Sequence, residues 1–148
     1  MQKSGVVDSV EISSIAHATE DPVKVETALR ALLPDELKGR EIFTKQFLQG
    51  HYTNPITTYE ARLKRPAEVN AFVNNLIHKL PRIDRLRVER DLHLHSDSEG
   101  NLFIRVNKQR AFSGSIELGG DDPVRIKMKF TRLKGDTQDL MKQLLESE

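Results

Sequence analysis

Apolar and basic residues alternate without interruption from Val124 to Phe130. Val124, Ile126, Met128 and Phe130 hold one parity, and Arg125, Lys127 and Lys129 hold the other. Arg132 continues the basic series past Thr131. Successive side chains of a strand point to opposite faces, so this segment predicts a strand with one buried face and a row of cations on the other. A cationic sheet face suits a polyanion, with RNA the first candidate. The same row has a plainer explanation, because Lys and Arg also guard edge strands against aggregation.

The remaining pattern predicts alternating helices and strands. Residues 6–16 are rich in Val, Ile and Ser and read as a first strand. Asp21 and Pro22 are a helix start, with Asp21 as N-cap and Pro22 at the first helical position. Val25, Ala28, Leu29 and Leu32 then follow the spacing of a buried helix face, which Pro34 and Gly39 end. Residues 41–48 and 57–64 read as two strands joined by the loop from Gly50 to Pro55. Pro66 opens a second helix, along which Val69, Phe72, Val73, Leu76, Ile77 and Leu80 form one apolar stripe. Residues 82–94 fit both periods, and a helical turn passing into a strand is the expectation. Residues 102–106 and 111–118 read as strands, with turns at 96–101 and 119–123. Gly135 and Asp136 begin a last helix with Leu140, Leu144 and Leu145 inward.

This order predicts an α+β fold: a two-layer domain in which helices pack on one face of a mainly antiparallel sheet. Such a sheet can leave its other face to solvent. No repeat, linker or low-complexity tract divides the 148 residues, so one domain is expected. With no Cys there is neither a disulfide framework nor a thiolate metal site. That composition suits a reducing compartment, and a cytoplasmic location is the expectation. No long apolar run predicts a signal peptide or membrane span.

The net charge of +1 conceals a partition. Residues 1–39 carry net −3, residues 40–100 net +2, residues 101–135 net +5 and residues 136–148 net −3. The positive charge therefore gathers around the alternating strand, and a local patch attracts a polyanion more directly than total charge does.

Several constellations qualify as candidate chemistry. His93 and His95 flank Leu94, a spacing that on a strand would put both imidazoles on one side. Asp91 or Asp97 could add a carboxylate, but a full ligand set is not evident, so no metal is predicted. The acidic pairs Glu20-Asp21 and Asp121-Asp122 suit caps and turns better than a catalytic metal, and no catalytic set emerges. No cofactor is predicted. In the loop after Gly50, His51 and Tyr52 can stack on bases and Asn54 can bond a base edge. In residues 107–114, Lys108 and Arg110 join Arg105 as phosphate contacts, with amides at Asn107 and Gln109.

Five segments occur in an order that resembles a known family. They are residues 17–21 (His-Ala-Thr-Glu-Asp), 50–56 (Gly-His-Tyr-Thr-Asn-Pro-Ile), 60–62 (Glu-Ala-Arg), 100–102 (Gly-Asn-Leu) and 108–111 (Lys-Gln-Arg-Ala). Together they resemble an archaeal family of small RNA-binding proteins described as predicted exosome subunits. The resemblance runs from about His17 to Phe130, and Arg110 departs from it where a smaller residue is expected. It implies a fold like that of the ribosomal protein L-five and a role in archaeal RNA metabolism.

The resulting expectation is a non-catalytic RNA-binding protein. Arg105, Lys108, Arg110, Arg125, Lys127, Lys129 and Arg132 would meet phosphates, and His51, Tyr52 and Asn54 would meet bases. Exosome subunits or a ribosomal subunit and its rRNA are the expected partners, the second in assembly or translational control. A protein–protein module and a metal-dependent nuclease are the competing classes.

Overall fold

The computed structural model describes residues 5–49 and 55–147. The chain runs β1 (Val7–Ala16), α1 (Pro22–Ala31), α2 (Asp35–Lys38), β2 (Thr44–Gln49), β3 (Pro55–Leu63), α3 (Pro66–Lys79) and α4 (Arg82–Arg90). It continues α5 (Leu92–His95), β4 (Asn101–Val106), α6 (Lys108–Phe112), β5 (Val124–Phe130) and α7 (Thr137–Leu145). The strands form one five-stranded sheet in the order β2-β3-β1-β5-β4, with every neighbouring pair antiparallel. This is the expected α+β architecture, with helices packed on an antiparallel sheet.

The caps explain where the helices begin. Asp21 accepts the Val23 N–H at 3.0 Å ahead of Pro22, and Asp136 accepts the Gln138 N–H at 2.8 Å ahead of α7. Each satisfies a donor that the helix itself leaves free. Helix α3 buries Val69, Phe72, Val73, Leu76 and Ile77, the stripe visible in its sequence. Helices α1 and α3 pack over β1, and α7 packs over β5. The covered sheet face supplies Val10, Ile12, Tyr59, Ala61, Leu63, Leu102, Ile104 and the apolar parity of β5 to one continuous core.

Two segments differ from expectation. Residues 82–94 form α4 and α5, with no strand. Asp84, Val88 and Leu92 are buried, four residues apart, while Arg90 and Leu94 point outward. A period of two and a period of four share positions 88 and 92, and the exposed 90 and 94 decide for the helix. Residues 111–118 also do not form a strand. Asn107 accepts the Arg110 N–H at 3.0 Å and caps α6, and only Leu118 rejoins the sheet, in a single bridge to Val106.

That bridge and a second one between Ser96 and Leu102 engage the outer edge of β4 at both ends. Strand β5 lies between β1 and β4. Its cations therefore do not guard an edge, and the plainer explanation for the alternating row is removed.

Candidate nucleic-acid interface

Strand β5 buries Val124, Ile126, Met128 and Phe130 and turns Arg125, Lys127 and Lys129 to the opposite face. Strand register then fixes what stands beside each cation. One row across the open face reads Arg62, Glu11, Lys127, Phe103. The next reads Glu60, Ser13, Arg125, Arg105. Lys129 pairs in register with Ser9 and Asn101 one row further along.

The cations of this face are not equivalent. Arg62 Nε lies 3.2 Å from a Glu11 oxygen and 2.8 Å from Glu60, and Lys127 Nζ lies 3.4 Å from the other Glu11 oxygen. Their charge is partly spent within the sheet. Among the described residues, Arg105, Arg125 and Lys129 have no carboxylate within 4.0 Å. All three are exposed. Their charge is available to an incoming anion, and the two guanidinium groups can bind a phosphate through paired hydrogen bonds.

Arg105, Arg125 and Lys127, but not Lys129, line an open groove of about 840 Å³. Its floor is the sheet, with Ser13, Phe103, Arg105, Arg125 and Lys127. Leu94 and His95 of α5 line it as well, as do Leu118, Gly119 and Gly120. Gly119 and Gly120 have φ of 127° and 103°, a region that an L side chain rarely enters, so the turn here requires glycine. Asp84 of α4 accepts the Leu118 N–H at 3.1 Å and ties this lip to the helix.

The other expected contacts lie elsewhere. Arg132 follows β5, is exposed, and donates to the Ser98 carbonyl at 3.1 Å. Arg110 is exposed on α6 and lies 3.8 Å from Glu117. Lys108 is buried. Its ammonium donates to the Ile15 carbonyl at 2.7 Å, to Glu20 at 3.1 Å and to Asp122 at 2.6 Å. It ties the end of β1 to the turns before α1 and β5, so its charge is neutralised inside the protein. His51, Tyr52 and Asn54 lie outside the described residues.

The acidic residues also resolve into a structural role. His17, Glu20 and Asp122 place their ligand atoms within 4.8 Å of one another. The Lys108 ammonium already bonds both carboxylates, so the cluster contains its own cation. Burial pushes the Asp122 carboxyl up, but its hydrogen bonds to Lys108 and His17 outweigh this and hold it below the ordinary carboxylate range. His93 and His95 belong to the short helix α5, where a spacing of two does not align side chains on one face.

Sequence reasoning overlooked Phe103. It shares a parity with Arg105 on a strand whose limits were legible, so the signal was present. It faces the groove and remains 38% exposed despite its size.

A two-layer α+β domain with exposed cations on the sheet face opposite its core is a form suited to a polyanion. The chain belongs to a family described as RNA binding, whose model matches residues 9–130. It is 31% identical over 123 residues to an RNA-binding protein of Pyrococcus abyssi, covering 82% of this chain and 80% of that one. A protein of Archaeoglobus fulgidus has a similar crystal structure, with TM-score 0.77 and 27% identity over 93% of this chain and 96% of that chain. A structure from Methanothermobacter thermautotrophicus has TM-score 0.73 and 25% identity over 95% of this chain and 99% of that chain. Both are described as DUF54 proteins. Among the described residues, no helix is long and apolar enough to cross a membrane.

Proposed function

We propose that this protein is a non-catalytic RNA-binding protein that holds the RNA backbone against its open sheet face. The observation that carries this reading is the set of cations Arg105, Arg125 and Lys129, unpaired among the described residues and exposed on the sheet face opposite the core, two of them on the interior strand β5. Lys127 assists, with part of its charge held by Glu11. Arg132, just past β5, extends the basic margin beyond the sheet, and Arg110 of α6 with His51, Tyr52 and Asn54 of the β2–β3 connection are further proposed contacts. Lys108 is removed from the contact set because its ammonium is buried among acceptors.

Phosphate contacts of this kind set affinity and orientation without reading sequence. With about four phosphates engaged, log affinity for a single strand falls with log salt at a slope near −3. Fluorescence anisotropy with labelled RNA at several salt concentrations measures this directly. A flat response would remove the electrostatic basis of the proposal.

The setting we propose is archaeal RNA metabolism in the cytoplasm, beside the exosome or on rRNA in the ribosome. Support comes from the resemblance in sequence and from the archaeal relatives. Crosslinking followed by sequencing of the bound RNA separates degradation substrates from rRNA, and co-purification separates exosome subunits from ribosomal proteins. The non-catalytic reading is supported by Lys108, which occupies the acidic cluster that a metal-dependent nuclease would need for its cation. Incubation of labelled RNA with the protein and Mg²⁺ or Mn²⁺ should leave it uncut.

A further inference from the structure

We propose that Phe103 is a stacking platform for an unpaired base, so that the groove takes single-stranded RNA in preference to duplex. This rests on the reading of the open face as an RNA interface and adds the form of RNA that the face accepts.

Phe103 points out of β4 on the face opposite the core, and its ring lines the groove floor. A large aromatic side chain left 38% exposed on a strand that buries Leu102, Ile104 and Val106 requires an explanation. Its surroundings supply one. Lys127 stands opposite it in register, and Arg105 follows two residues later on the same face, itself opposite Arg125. Side chains two apart on a strand are separated by about 6.7 Å. A base lying on the Phe103 ring therefore brings its adjoining phosphate within reach of the two long guanidinium side chains. Leu94 and His95 line the same groove and offer an apolar and an aromatic flank to that base.

A duplex cannot use this arrangement. Its bases are stacked on one another, and the protein meets only phosphates, 2′-hydroxyls and a shallow minor groove. The cations alone would serve both forms of RNA, whereas the ring on the floor serves only a base that is free to leave a stack. Every base has a π-face, so the platform provides affinity with little sequence preference.

The chain contains no Trp, so Phe103→Trp creates a single indole reporter at the platform. Titration with an oligouridine or oligoadenosine of about twelve nucleotides should quench its fluorescence, and an RNA duplex of similar length should not. Phe103→Leu keeps an apolar side chain but removes the aromatic face. It should weaken single-strand binding about tenfold and leave the salt slope unchanged, because no charge is lost. Duplex binding and thermal stability should stay at the wild-type level. Phe103→Leu with wild-type affinity for single strands would overturn the stacking proposal, as would equal loss on both RNAs. If the wild-type protein binds RNA with the expected salt slope in those cases, only the platform fails. If it shows no such slope, the interface itself fails.

Discussion

Arg105 of β4 and Arg125 of β5 stand directly opposite each other in antiparallel register, both exposed on the open sheet face. Like charges placed this way destabilise a sheet by a few tenths of a kcal/mol. No carboxylate among the described residues relieves them, although Glu11 and Glu60 relieve Arg62 on the same face. The pair is therefore a cost to folding that a bound phosphate would offset.

Replacing both residues by Gln should consequently separate binding from stability. RNA affinity should fall at low salt, and the salt slope should flatten by about 1.4, or 0.7 for each lost phosphate contact. The melting temperature should stay level or rise slightly. Anisotropy titrations at several salt concentrations and a thermal melt measure both sides. Unchanged affinity would assign the pair no part in binding.

Glu11 makes the opposite prediction. It forms ion pairs with both Arg62 and Lys127 and so offsets part of the charge of two cations. Glu11→Gln removes the negative charge and retains the shape. RNA should then bind a fewfold more tightly at low salt, because the local positive potential rises. The gain should fade as salt is added. A variant that binds more weakly would show that Glu11 positions its partners for RNA instead of competing with it.

Lys108→Met should reduce stability while sparing the salt dependence of RNA binding. The ammonium bridges Ile15, Glu20 and Asp122, and its removal leaves the two carboxylates facing each other. Breaking a buried pair costs up to ~5 kcal/mol, but Glu20 and Asp122 are 30% and 42% exposed, so about 1–3 kcal/mol is expected. The sign with pH follows from Asp122, whose carboxyl is held below its ordinary value. Its contribution is present above about pH 4 and is lost as pH falls through the depressed folded-state value. Urea unfolding at neutral pH and near pH 3 should show the gap between wild type and variant closing on the acid side.

The elements that carry the interface were legible because their signals were local and unambiguous. Alternation in β5 is complete over seven residues, and Asp21, Pro22, Pro66 and Asp136 mark helix starts by their own chemistry. Residues 82–94 misled because buried positions four apart also satisfy a period of two. Lys108 misled for a different reason. Its cationic head is neutralised by Glu20 and Asp122, residues 88 and 14 positions away, which sequence spacing does not bring together. Phe103 was overlooked because an aromatic residue on a strand is ordinarily assigned to the core. Its outward parity is readable within β4, where it alternates with Leu102, Ile104 and Val106, but the cation beside it, Lys127, is identified only by the β4–β5 register.

Glu89 of α4 predicts how the C-terminal helix responds to pH. One of its carboxylate oxygens is enclosed without a hydrogen-bond partner. Burial, and then the neighbouring Glu146, push its carboxyl above the ordinary value. Arg85 of the same helix donates to the Leu145 carbonyl at 3.2 Å and to the Ser147 carbonyl, so α7 is fastened at its C-terminal end beside this repulsion. A carboxyl with a raised folded-state pKa contributes stability below its unfolded value, and that contribution is lost as pH rises through the folded value. Wild-type stability should therefore decline as pH climbs from about 4.5 towards neutrality. Glu89→Gln should remove this component of the decline and be more stable at neutral pH, by less than about 1 kcal/mol because the site is partly solvated. Urea unfolding at about pH 5 and pH 7.5 measures the difference. A variant less stable than wild type at neutral pH would mean that the charged Glu89 carboxylate supports the α4–α7 contact instead of straining it.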